Sequence, residues 1–207
     1  METRVVEHAV VSDRLTTLRD RATTRPGFRA TLADLSRMLI YEAVRELPVD
    51  VVDVQTPMGP TTGARLSEPP VILPVLRAAL GMLGPALELL PDASVLFLGL
   101  RRNDVTHQPE VYLKTSGGSL AGKPGLILDP MLATGGSLAH ACQVAVDAGA
   151  RSLTVVSVIS APEGIARLEA SSSVDLLVTA AIDSHLDEDA FIVPGLGDAG
   201  DRQFGPQ

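Results

Sequence analysis

The sequence predicts an α/β fold, a mostly parallel sheet flanked by helices, in a single domain spanning 1–207. Short apolar bursts recur along the chain, they are continuous rather than alternating, and stretches of helical spacing separate them. A strand with one wet face alternates apolar with polar residues, whereas a strand covered on both faces does not. Strand, helix, strand in succession is the order of parallel crossover units.

The elements follow in order. Phe28, Leu32, Leu35, Leu39, Ala43 and Leu47 recur at helical spacing, and Pro48 ends the run, so a helix is expected over 28–47. The next stretch, QTPMGPTTGARLSEPP (55–70), is rich in Gly, Pro and Thr and is expected to be weakly structured. VILPVL (71–76) reads as a strand, LGMLGPALELL (80–90) as a helix and SVLFLGL (94–100) as a strand. GLILD (125–129) is another strand, followed by the helix SLAHACQVAVDAG (137–149), which Gly149 closes. SLTVVSVIS (152–160), APEGIARLEASS (161–172) and DLLVTAAID (175–183) complete the alternation as strand, helix and strand. Two segments break the pattern. The polar, turn-rich stretch 101–122 reads as a flexible protruding hairpin, and the glycine-rich tail from Phe191 has no periodicity.

Composition excludes several classes. Hydrophobic residues are 45% of the chain and aromatics only 3%, so the core is built from Ala, Leu and Val. Net charge is −8, and Lys114 and Lys123 are the only lysines, so no basic stripe for nucleic acid is present. No apolar run reaches the ~18 residues a membrane span needs, and METRVVEHAVVSDRL lacks the apolar centre of a signal peptide. The lone Cys142 forms neither an internal disulfide nor a cysteine metal site. A cytoplasmic enzyme acting on a small anionic metabolite is expected, with no nucleic-acid or membrane partner.

In an open parallel sheet, ligands sit beyond the carboxyl ends of the strands. Asp129 lies at such an end, in DPMLATGGS (129–137), with a helix beginning near Ser137. The amides of Thr134, Gly135, Gly136 and Ser137 at a helix N-terminus make a phosphate cradle, and the nearby carboxylate suits sugar hydroxyls. The same residues also make an ordinary capped turn, and taken alone either reading stands. No lysine follows these glycines, so this is not a P-loop. The only G-x-G, Gly195–Gly197, lies in the tail, where no helix is expected to follow and a dinucleotide fingerprint is not made. His8, His107, His140 and His185 are scattered without ligand spacing.

The order strand, acid, turn, Thr-Gly-Gly-Ser, helix resembles the 5-phosphoribosyl diphosphate motif of type I phosphoribosyltransferases. Pro130 stands where most of them carry a second acid, and DPMLATGGS in full is the pattern of uracil phosphoribosyltransferases. LPVLRAALGM (73–82), APEGI (161–165), TAAID (179–183) and IVPGLGDAGDRQFG (192–205) are similar to that family in the same order, from about Ala9 to Gly205. The resemblance implies transfer of a phosphoribosyl group to uracil, giving UMP and diphosphate in pyrimidine salvage. It implies donor binding by Arg77, Arg102, Asp198 and the loop Asp129, Pro130, Met131, Leu132, Ala133, Thr134, Gly135, Gly136 and Ser137. Asp129 would hold ribose and the turn its 5-phosphate. Ile192, Gly197, Asp198 and Ala199 would form a uracil-binding hood within 191–207. Asp129, Arg77, Arg102 and Asp198 are the expected catalytic set.

Magnesium carried by the diphosphate, a GTP effector seen in some relatives, and a homodimer or higher homo-oligomer are further implications. By itself Arg77 has a surface ion pair as its alternative reading, although it sits just after an aliphatic strand at the ligand end, and Arg101–Arg102 reads first as a solvated charge pair. The chain departs from the family at Ala79, where glycine is usual, at Arg101, where an aromatic is usual, and at LSEPP (66–70), which lacks lysines. A phosphoribosyltransferase for a purine and a silent UMP-binding regulator acting through RNA are the rivals. The negative charge opposes RNA, and the complete loop motif opposes silence.

Overall fold

The computed structural model describes residues 1–102, 109–114, 120–171 and 173–206, with only the backbone described for 100–102 and 109–114. It opens with β1 (Glu2–Val5), α1 (Ala9–Arg19) and α2 (Arg25–Ala43). A hairpin follows, β2 (Val49–Thr56) and β3 (Gly59–Leu66), then β4 (Val71–Leu76) and α3 (Leu80–Leu89). Next come β5 (Leu98–Arg102), β6 (Pro109–Lys114), β7 (Pro124–Leu128), β8 (Met131–Leu132) and α4 (Gly136–Asp147). The chain finishes through β9 (Ser152–Ser160), α5 (Pro162–Ser171), β10 (Leu176–Ile182), β11 (His185–Leu186), β12 (Ile192–Val193) and α6 (Ala199–Phe204).

The main sheet runs β1-β10-β9-β7-β4-β5-β6, with β8 also beside β9. Every pairing is parallel except β5 with β6. Alternate residues of each central strand enter different cores. Ile72, Leu126, Leu128, Val156 and Val158 pack with α1, α2 and α3, while Leu73, Ile127, Leu153 and Val155 pack with α4 and α5. Burial on both faces is why these strands read as unbroken apolar runs.

Four expectations need correction. The stretch 55–70 is not weakly structured: most of it lies in the β2–β3 ribbon, laddered from Val49↔Leu66 to Thr56↔Gly59. Its turn is held by Thr56 Oγ1, which accepts from the amides of Met58 and Gly59, both at 3.2 Å. The ribbon stands in solvent, with Val51 78% and Met58 96% exposed, so no apolar alternation marks it.

The strand expected at 94–100 is displaced. Val95 makes one isolated bridge to Ile72, and the ladder resumes only at Leu98, opposite Val75. Pro74 explains the gap. The Ile72 amide donates towards this side, to Ser94, and the donor two residues on would be the N–H that proline lacks.

The helix expected over 28–47 begins at Arg25, after the Thr24 cap, and stops at Ala43. The tail is not aperiodic either. Asp198 Oδ1 accepts from the Asp201 amide at 2.8 Å and caps α6, so a helix does follow Gly197. With Gly200 the stretch GLGDAG reads G-x-G-x-x-G in full. It is entered from the two-residue antiparallel β12 rather than from a parallel crossover unit, so the dinucleotide context is still not met.

The antiparallel pairing of β5 and β6 makes the expected hairpin. The flexibility expected of 101–122 falls mainly on 103–108 and 115–119, outside the described residues.

Candidate active site

The sheet extends from β4 in two directions. β5 lies on one side, and β7, β9 and β10 lie on the other, so the strand order reverses between β4 and β7. A crevice beyond the carboxyl ends is expected at such a switch point. Pro74 pairs with Leu128 and Leu76 with Gly99, which sets Arg77, Arg102 and Asp129 at three neighbouring strand ends. Arg77 is exposed just past β4, and Arg102 ends β5. The peptide between Leu76 and Arg77 is cis.

Asp129 follows β7 and is 9% exposed. Its amide donates to Val156 O at 3.1 Å, and its Oδ1 accepts from the Met131 amide at 3.3 Å. Burial pushes this carboxyl up to about 7 from 3.8, against the weaker pull of the Met131 hydrogen bond.

The loop after it is fastened by backbone. Pro130 O accepts from the amides of Val158 at 3.0 Å and Ile159 at 3.2 Å, and Leu132 O accepts from Ala161 at 2.8 Å. Gly135, at φ 73, takes the N-cap position of α4 and offers no side-chain cap. Thr134 Oγ1 accepts from the Gly136 amide at 3.4 Å, and the next two amides of α4, those of Ser137 and Leu138, have no partner among the described residues. Asp129, Met131, Ala133, Thr134, Gly135, Gly136 and Ser137 line a pocket of about 90 Å³ here. Helix α5 closes on the loop at Gly164, where an added Cβ would stand 2.4 Å from Ala133 O.

The tail is fastened by side chains. The Asp183 carboxylate accepts from Arg19 at 2.8 and 2.5 Å and from the Gly195 amide at 2.9 Å. Arg19 Nη1 also donates to Gly195 O at 2.8 Å. Gly195 has φ 64, and a Cβ there would meet Ile192 O at 2.0 Å, so only glycine fits this turn. Arg202 lies 4.4 Å over the Phe28 ring and donates to the carbonyls of Leu18, Leu196 and Asp20. Gln203 Nε2 donates to Ala78 O at 2.8 Å and Ala199 O at 2.9 Å, tying the tail to the loop that carries Arg77.

Ile192 is 7% exposed and Ala199 fully buried, while Gly197 and Asp198 face solvent. Among the described residues, neither the amide nor the carbonyl of Gly197 has a hydrogen-bond partner. Ala79 is fully buried at φ −73, an ordinary helical angle, and its methyl packs into the core.

Arg19, Arg202 and Gln203 were not expected from the sequence. Each acts over a long separation, and no spacing rule links position 19 to 183 or 203 to 78. Gly164 did leave a signal, an isolated glycine inside a helical stretch. Cys142, His8 and His185 are otherwise engaged. Burial raises the Cys142 thiol to about 12, His8 caps α1 through Nδ1 at 3.1 Å, and His185 meets Ser184 Oγ at 2.8 Å. His107 lies outside the described residues. Among the described residues no three His, Cys, Asp or Glu side chains gather as metal ligands, and no helix is long and apolar enough to cross a membrane.

The family model for uracil phosphoribosyltransferase matches residues 5–206. A uracil phosphoribosyltransferase of Corynebacterium diphtheriae is 50% identical over all of this chain and 98% of its own length. That of Corynebacterium efficiens is 49% identical with the same coverage. The solved structure of AQ2163 protein from Aquifex aeolicus superposes with a TM-score of 0.93 at 35% identity, over 99% of this chain and 98% of that one. A purine phosphoribosyltransferase from Pyrococcus horikoshii shares the fold at a TM-score of 0.50 and 18% identity, over 74% of this chain and 87% of its own.

Proposed function

The chain belongs to the uracil phosphoribosyltransferase family, and from that premise we propose how its residues divide the work of transferring a phosphoribosyl group to uracil. The products are UMP and diphosphate. The uracil ring nitrogen attacks the anomeric carbon while diphosphate leaves, through an oxocarbenium-like transition state, and the proton it carried passes to the departing diphosphate or to solvent.

The uncapped N-terminus of α4, with Thr134 and Ser137, holds the 5-phosphate. Asp129 accepts from the ribose hydroxyls, Pro130 to Ala133 carry the chain between them, and Arg77 and Arg102 take the diphosphate. Asp198 faces the same donor. Ile192, Gly197 and Ala199 frame the base, with the Gly197 backbone reading its polar edge. No covalent nucleophile is required, because positioning, charge stabilisation of the leaving group and exclusion of water supply the acceleration. The observation that carries this assignment is the buried Asp129 beside an uncapped, glycine-lined helix N-terminus at the switch point.

Magnesium arriving with the diphosphate would offset charge on the leaving group. The donor set fits this: among the described residues Asp129 is the only carboxylate lining the phosphate pocket. One domain over 1–207, a cytoplasmic setting and self-association belong to the same proposal. Val49, Val51 and Leu66, exposed together on one face of the β2–β3 ribbon, support self-association. Activation by GTP enters through the family resemblance alone, and assays with and without GTP decide it.

The test is diphosphate release with a panel of bases. Uracil should turn over and 5-fluorouracil should be accepted, since its polar edge is unchanged. Cytosine and the purines should be rejected, cytosine by ~10⁴ or more in kcat/KM, because mismatched donors and acceptors stay buried. Cytosine within tenfold of uracil would remove the tail as the reader of the base. A purine preferred to uracil would overturn the assignment.

A further inference from the structure

We propose that the Arg167 guanidinium pairs with the donor's 5-phosphate and supplies the cation that the phosphate loop lacks; this rests on the assignment of 129–137 as the 5-phosphate cradle. No lysine or arginine occurs in DPMLATGGS, so that loop meets a doubly charged phosphate with amides and hydroxyls alone. Helix α5 brings a cation to it. The contact at Gly164 sets α5 directly against Ala133, and Arg167 lies one turn further along the same helix.

The side chain runs past two glycines that line the pocket. A Cβ on Gly135 would stand 3.2 Å from Arg167 Cβ, and one on Gly136 would stand 3.4 Å from Nη1 and 3.7 Å from Cζ. The guanidinium therefore lies beside the first turn of α4, where the unpartnered amides are. Arg167 is exposed and makes no ion pair or hydrogen bond among the described residues. Its helical partner at i−4 would be Glu163, but Glu163 Oε1 accepts from the Leu186 amide at 3.1 Å. Glu169, two positions on, projects from another side of the helix. A cation beside the positive end of a helix is unfavourable on its own, and an anion between them reverses the sign. Arginine's planar fork matches two phosphate oxygens, and its exposed stem lets it reach them.

Binding of UMP, which carries the 5-phosphate, and of uridine, which does not, separates this role from a structural one. Arg167→Ala should weaken UMP about three- to tenfold and uridine by less than twofold, because the contact is partly screened. UMP binding should also become less sensitive to salt, and Arg167→Lys should restore part of the loss. An unchanged UMP affinity in Arg167→Ala, or an equal loss for both ligands, overturns the proposal. Ser137→Ala tests the cradle itself. If it narrows the gap between UMP and uridine while Arg167→Ala does not, only Arg167 is wrong. If neither narrows it, the cradle assignment fails as well.

Discussion

The 129–137 loop, proposed to hold phosphate, and the tail from Phe191, proposed to hold the base, both present backbone groups from glycine-rich turns, yet they are held in place by opposite means. The loop is fastened by main-chain bonds to β9 and the start of α5, all within about thirty residues of it. The tail is fastened by side chains reaching across the chain, Arg19 to Gly195, Arg202 to Leu18 and Gln203 to Ala78. A loop that continues a strand into a helix inherits its geometry from the sheet. The tail continues only the two-residue β12, which lies off the main sheet, and must be clamped. Breaking one clamp should therefore damage the tail selectively, while the loop should fail only where its own chemistry is touched.

The largest effect is expected at the clamp. Asp183→Ala removes the acceptor shared by Arg19 and the Gly195 amide and strands a largely covered guanidinium. Losing one partner of such a pair should cost about 3 kcal/mol in stability. The KM for uracil should rise at least tenfold and the KM for the donor less than threefold. Equal rises in both would show that the two regions are not separately held.

Asp129→Asn comes next. Losing a charge-assisted hydrogen bond at the ribose should lower turnover ten- to hundredfold, from about 1.5–3 kcal/mol. Because folding raises this carboxyl to about 7 from 3.8, its protonated form contributes stability below 3.8 that is lost as pH climbs through 7. The asparagine variant should thus melt at the same temperature as the parent near pH 4 and several degrees higher at pH 8. In the parent, kcat/KM for the donor should fall as pH drops below about 7, a limb that the asparagine variant cannot show. A melting difference independent of pH would remove the burial account.

The smallest effect on activity is expected at Ala79. Its methyl points into the core at an ordinary backbone angle, so Ala79→Gly should cost about 1 kcal/mol of stability and change the donor KM less than twofold. A tenfold fall in that KM would show that the methyl crowds the diphosphate.

The legibility of the chain follows the same division. Strands β4, β7, β9 and β10 and the Asp129 loop could be read because burial on both faces and a strand-to-helix turn leave local patterns. The β2–β3 ribbon could not, since its strands bury neither face and carry no apolar period. The start of β5 depended on a missing N–H in another strand, which no window around residue 95 contains. In the site, the residues of the loop and tail were nameable through the family motif. The clamps were not, because each joins residues more than a hundred positions apart. The side chain of Arg102 lies outside what the structure describes.

The contact between α5 and the phosphate loop also sets how freely this site can vary. At Gly164 any β-carbon would stand 2.4 Å from Ala133 O and under 3 Å from the Leu132 side chain, so every residue type but glycine forces the helix and the loop apart. Gly84 has open space around its own position and carries no such constraint. Neutral drift can therefore change position 84 while leaving position 164, against the 129–137 loop, almost frozen. The constraint there comes from room for one hydrogen, on a residue outside the lining of the pocket.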